Sequence, residues 1–231
     1  MAAGWPTKAN YATGDVLSAT NMNDLSGTVN YIDPTSATDG QVLTRDAASA
    51  GKVKWATAGG ASGLTLISRQ SFSNVAGTGT TFDGIFTSTY KTYLVIIENI
   101  AGVTFSDDLQ MQFRYAGPTT QTAAYYGSSI YTDYSTATVA NLGTNNGAQA
   151  TLSTAIGTSG AGDSTGYIWV QDVGNSSYQP RYQGSVVCQD SSVINYFGGF
   201  TNTARVYTGL LFKSSSTNVT GTIAVYGLAA A

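Results

Sequence analysis

Glutamate occurs once in this chain, at Glu98, and lysine five times. Alanine aside, the strongest helix formers are scarce, so the chain is poorly equipped to build long helices. In their place stand 15 Tyr, 27 Gly and abundant Thr and Ser, a vocabulary of strands and turns. The hydrophobic pattern agrees. In residues 109–115, L-Q-M-Q-F-R-Y, apolar and polar side chains alternate. Period two predicts Leu109, Met111, Phe113 and Tyr115 facing a core and Gln110, Gln112 and Arg114 facing outward. Residues 90–100, Y-K-T-Y-L-V-I-I-E-N-I, contain a run apolar on both faces, which predicts a central strand.

Further strands are expected at 64–72, 123–131, 149–156, 166–173, 182–189, 193–200, 205–212 and 221–228. Turn signals separate them: Ala116-Gly117-Pro118, Asn145-Asn146-Gly147, the 160–163 stretch G-A-G-D, Gly174-Asn175 and Ser214-Ser215-Ser216. Asn146-Gly147 predicts a hairpin turn, because both residues tolerate positive φ. About ten strands at this spacing predict a mainly β fold, a β-sandwich of jelly-roll type over residues 64–231. No internal repeat of 20–50 residues is visible, which argues against a propeller or solenoid.

Two other segments precede that domain. Residues 1–36 read as a polar arm with one short helix. Met22, Leu25, Val29 and Ile32 form a helical stripe, with Thr20 as N-cap and Asp33-Pro34 as terminator. A helix of about a dozen residues does not persist alone in water, so the stripe needs a partner. Residues 37–63 hold a small hairpin, Val42-Leu43-Thr44 and Val53-Lys54-Trp55, followed by the Gly/Ser linker 59–63. An isolated hairpin is marginal, so Val42, Leu43, Val53 and Trp55 also need cover.

Composition narrows the chemistry. Charged residues are 10% of the 231, against roughly 25% in ordinary soluble domains. The surface is therefore either covered by neutral hydroxyls and amides or buried between chains. The net charge is −3 and there is no basic run, so nucleic acid is not an expected partner. No stretch of 18 apolar residues offers a membrane span. The chain has no histidine, which excludes Ser-His-Asp and Cys-His catalysis. Its single cysteine, Cys188, is expected to be buried in a strand as a small hydrophobe. A carboxylate pair for glycoside cleavage would have to come from Glu98 and the aspartates, which read better as turn and cap residues. Asp107-Asp108 lacks the ligand spacing of a calcium loop. No cofactor or metal is expected, and no enzymatic activity. Tyr131, Tyr134 and Tyr178, with Arg181, fall near predicted loops and are the candidates for contact with a glycan or protein partner.

G-Q-V-L-T, a short turn and V-K-W-A-T-A, residues 40–58, resemble a hairpin module of bacteriophage tail fibres and related virion proteins. T-G-D-V-L-S-A-T-N-M-N-D-L near the N-terminus resembles the start of many phage appendage proteins. F-D-G-I-F-T-S-T-Y-K-T-Y-L-V-I-I-E-N, residues 82–99, and the closing T-G-T-I-A-V-Y-G-L resemble strands of phage head or tail sandwich domains. The resemblance implies a non-enzymatic virion protein, a homotrimeric short tail fibre or receptor-binding protein. Its arm, with Trp5, Met22, Leu25 and Val29, would attach to another virion protein. Its hairpin, with Val42, Leu43, Val53 and Trp55, would intertwine three chains, and its sandwich would point outward, toward a host surface glycan in the receptor-binding case. A capsid decoration or head-fibre protein and a carbohydrate-binding module are the alternatives. The first residues, M-A-A-G-W-P-T-K-A-N, lack the apolar core of a signal peptide, so assembly in a host cytoplasm and release by lysis are expected.

Overall fold

The computed structural model describes residues 41–45, 53–57, 63–76, 79–103, 107–117, 119–158, 163–216 and 218–228. The expected helix over the Met22/Leu25/Val29 stripe, and Trp5, lie outside the described residues. The chain divides into two compact units, Met1–Ala61 and Ser62–Ala231, a division that falls within the Gly/Ser segment.

In the first unit, β1 (Gln41–Arg45) and β2 (Val53–Thr57) pair antiparallel. Leu43 stands opposite Trp55, Arg45 opposite Val53 and Val42 opposite Ala56.

The second unit is built of β3 (Leu64–Val75), β4 (Thr80–Phe82), β5 (Thr92–Gly102), β6 (Leu109–Tyr115) and β7 (Thr119–Thr120), then β8 (Tyr125–Asp133), β9 (Thr138–Gly147) and β10 (Ala150–Ser153). It continues with β11 (Ser164–Gln171), β12 (Arg181–Cys188), β13 (Val193–Thr201), β14 (Tyr207–Ser214) and β15 (Val219–Leu228). One sheet has eight strands in the order β3-β15-β5-β11-β12-β13-β8-β9. The other has five: β10-β6-β14-β4 along its path, with β7 paired to β6. Among the described residues, every strand pair in both sheets is antiparallel. The two sheets share one hydrophobic core, so the unit is a β-sandwich.

The core follows from the alternation. Tyr93, Val95 and Ile97 of β5, Ile168 and Val170 of β11, and Tyr182 and Val186 of β12 come from the large sheet. Leu109, Met111 and Phe113 of β6, and Leu210 and Phe212 of β14, meet them from the small one. β5 sits inside its sheet between β15 and β11, as its two-faced apolar run predicts. Cys188 is buried and unbonded.

The structure differs from the sequence reading at three points. Gln110, Gln112 and Arg114 do lie opposite the core-facing set, yet all three are buried. Flanking loops supply their partners: the Gln112 amide donates to the Ala148 carbonyl, and Arg114 forms an ion pair with Asp83 at 2.6 Å while donating to Thr120. A buried cation is tolerated only with such partners. Second, residues 138–147 form a strand that hydrophobic alternation does not reveal. Third, Asn145-Asn146-Gly147 is not a hairpin turn but the irregular end of that strand. Asn146 has φ 57°, as its type allows, and the register with β8 slips between Tyr125 and Gly127. The β8–β9 turn is instead at residues 134–137, where the Asp133 carboxylate accepts from the Ser135 and Thr136 backbone N–H groups.

Tyr125, Tyr182 and Tyr207 all sit in the core or against it, and burial pushes each phenol pKa upward, that of Tyr182 to about 12. Below pH about 10 these groups are protonated in both folded and unfolded chains. Between about 10 and 12 the unfolded chain releases the proton that folded Tyr182 keeps, so stability falls as pH rises. For Tyr182 the limiting slope in that window is about 1.4 kcal/mol per pH unit. Urea midpoints measured from pH 8 to 11.5 should be flat up to about 10 and then drop. A flat profile throughout would contradict this account of the core.

Candidate functional site

The outward face of the eight-stranded sheet carries a trough, and strand register defines it. Trp169 of β11 stands beside Gln183 of β12, which stands beside Gly198 of β13, Ser128 of β8 and Gly143 of β9. Side-chain height falls sharply along this row, from an indole to a bare α-carbon. Four strand spacings of roughly 4.8 Å give the row a length of about 19 Å. Two residues along each strand on one side lies the row Tyr167, Ser185, Tyr196, Ile130 and Asn141, in which Tyr167, Tyr196 and Ile130 stand exposed and the small Ser185 is buried. On the other side runs a ridge of Gln171, Arg181, Phe200 and Tyr126. Phe200 and Tyr126 are stacked, with ring centroids 5.4 Å apart and planes 14° apart.

Two adjoining depressions share Trp169, Gln183 and Gly198. One, about 320 Å³, extends to Gln171, Arg181 and Phe200. The other, about 470 Å³, extends to Tyr167, Tyr196 and Ile130. Tyr196 is 57% exposed and Ile130 54% exposed, although both lie in mid-strand. Among the described residues, none is hydrogen-bonded to the side chains of Gln171, Gln183, Trp169, Tyr167 or Tyr196. The one charged side chain in the lining, Arg181, is paired with Asp172.

The glycines here have different reasons. A Cβ on Gly184 would lie 2.0 Å from the Tyr167 carbonyl oxygen, and one on Gly199 would lie 2.3 Å from that of Tyr126. Both are required by close backbone approach. Gly198 is not: its Cβ would meet only the Tyr182 carbonyl oxygen at 3.6 Å and the Gln183 Cβ at 3.7 Å. The backbone would accept a side chain there, and its absence leaves the trough floor open.

The residues anticipated as contacts are split between the two ends of the strands. Tyr134 lies in the β8–β9 turn, 48% exposed, its hydroxyl donating to the Gln189 carbonyl. Tyr131 is half-buried on β8. Tyr178 is exposed in the loop before β12, and Arg181 begins that strand, at the opposite end of the sheet from Tyr134. Arg181 alone of the four lines the trough. Val42, Leu43, Val53 and Trp55 occupy β1 and β2 at the register given above. Met22, Leu25 and Val29 lie outside the described residues. Trp169, Gln183 and Gly198 escaped sequence reasoning because they come from three strands and read individually as ordinary strand positions.

Carboxylates are committed elsewhere. Glu98 accepts two bonds from Arg69, at 2.7 and 2.5 Å, and this pairing lowers its pKa. Asp107 accepts from the hydroxyls of Ser214, Ser215 and Ser216. Burial and the neighbouring Asp107 raise the pKa of Asp108. No cluster of three or more His, Cys, Asp or Glu suited to a metal occurs among the described residues. No family model matches the chain, and no curated protein matches it.

A substitution pair separates the two kinds of glycine. Gly184→Ala should cost about 1–3 kcal/mol through overpacking. Gly198→Ala should change stability by less than about 1 kcal/mol, on the stabilising side. Chemical denaturation of both variants measures this, and equal losses would refute the account of the trough floor.

Proposed function

We propose that the chain is a non-enzymatic structural protein of a tailed-phage virion. In this reading it is a homotrimeric short tail fibre or receptor-binding protein, attached through its N-terminal arm. The carrying observation is strand order. Numbering β3, β4, β5, β6, β10, β11, β14 and β15 from one to eight gives sheets 1-8-3-6 and 2-7-4-5. That order supports a jelly roll, an architecture used by viral structural proteins and by lectins. On this reading the β8–β9 and β12–β13 hairpins are additions that widen one sheet beyond its sixth strand, β11. They carry most of the trough.

The charge-poor composition supports burial of surface between identical chains, and closed symmetry is the usual outcome for such chains. Exposed Leu64, Leu66, Val139 and Leu142 lie on the two edge strands of the large sheet, β3 and β9. Unpaired edges with apolar side chains and little charge are normally protected.

Immunogold labelling of particles with an antibody to residues 64–231 tests the proposal. Gold at the tail is the expected result, and a chain lacking residues 1–36 should fold but fail to join particles. Gold over the head would replace the tail-fibre reading with decoration or head-fibre function. Unlabelled particles would overturn the virion reading altogether.

A further inference from the structure

We infer that the trough across β11, β12, β13, β8 and β9 binds an extended neutral oligosaccharide. This deepens the receptor-binding reading, on which it rests for its biological setting, by naming the site and the class of ligand; the binding itself follows from the trough alone. Two features of the trough's lining point to this ligand chemistry. Its walls carry aromatic rings, Trp169, Tyr196 and Phe200, which offer apolar faces to the C–H faces of a pyranose. Its polar groups are uncommitted: the Gln171 and Gln183 amides, the Trp169 indole N–H and the Tyr167 and Tyr196 hydroxyls have no partner among the described residues. An amide offers a donor and an acceptor side by side, the complement of neighbouring sugar hydroxyls. A ligand that is apolar on its faces and rich in hydroxyls at its edges satisfies both sets at once.

Charge decides against other partners. Arg181 is neutralised by Asp172, and no other charged side chain lines either depression, so a phosphate or an acidic peptide finds no unpaired cation. A peptide joining as an added strand needs unpaired backbone at a sheet edge. Gln183 and Gly198, which line both depressions, lie on β12 and β13, which are paired on both sides. The shape fits a linear chain. The row of side chains begins at the Trp169 indole and ends at Gly143, where a Cβ would meet nothing within 4 Å. Gly198 is the key position, since the backbone does not require glycine there and any side chain would fill the floor.

The test uses the full chain and linear hexamers of α- and β-linked glucose, mannose, galactose and N-acetylglucosamine at millimolar concentration. Saturation-transfer NMR should detect at least one of them. Gly198→Val, which keeps a strand-compatible residue, should retain the wild-type thermal midpoint while weakening that binding by at least about tenfold, or 1.4 kcal/mol. Trp169→Ala should weaken it as well. No saturation transfer from any hexamer would overturn the inference, as would undiminished binding by Gly198→Val. Protection of Trp169, Tyr167 and Tyr196 from hydroxyl-radical labelling that rises with protein concentration would assign the trough to a second copy of this chain instead. Particle labelling is unaffected by any of these results, so the two readings fail separately.

Discussion

The ring of Phe113 is where the two sheets are fastened, and the rest of the sandwich depends on it. Phe113 belongs to β6 of the small sheet. Around it stand Tyr125 of β8, stacked at 6.2 Å, Tyr182 of β12 at 6.4 Å and Tyr207 of β14 at 5.1 Å. Tyr125 also reaches the backbone: its hydroxyl accepts the Phe113 N–H at 2.6 Å and lies 3.3 Å from the Gln121 carbonyl. Buried phenols need such partners, and here they come from an interior strand of the opposite sheet and the segment that follows β7. The widened half of the large sheet is thus held to the core by tyrosines rather than by aliphatic packing alone.

That anchoring sets the outward face. Because side chains alternate, fixing Tyr182 and Phe197 inward sends Gln183 and Gly198 outward, and a one-residue slip would exchange the two faces. Gly127 and Gly199 make the room: a Cβ on either would come within 2.7 Å of the Tyr182 hydroxyl. Those two glycines belong to the core and Gly198 to the surface, although Gly198 and Gly199 are adjacent in sequence. The difference cannot be read from one dimension, since it depends on what each α-carbon faces across the sheet.

Much of the strand content was legible. Alternation in residues 109–115 and the two-faced run before Ile100 predict β6 and the interior placement of β5. The failures have physical causes. T-V-A-N-L-G-T-N-N-G, residues 138–147, presents only Val139 and Leu142 as large apolar groups, because β9 is an edge strand exposed on much of its length. Gln110, Gln112 and Arg114 looked like solvent-facing positions, yet loops bearing Asp83 and Ala148 fold over them. At Asn146 the residue type correctly signalled positive φ, but an irregular strand end meets that requirement as well as a turn does. The tyrosines near loops drew attention by local position, whereas the trough is a product of register among five strands.

The widened sheet also needs support beneath it, and a polar bridge supplies some. Asn195 of β13 is fully buried, and its amide donates to the Ser153 hydroxyl of β10 at 2.9 Å, while the Ser153 hydroxyl donates to the Ala155 carbonyl at 2.6 Å. A buried network of this kind is stabilising only when its members are satisfied. It ties the edge strand of the small sheet to the underside of the strand that carries Gly198. Inward positions of β12 and β13 are therefore constrained by Phe113, Tyr125 and Ser153, while outward positions 181, 183, 196, 198 and 200 face no other layer of the sandwich. Substitutions there can reshape the trough without disturbing the core. Packing thus fixes the inner face and leaves the outer one free to change, as the oligosaccharide site inferred above would require.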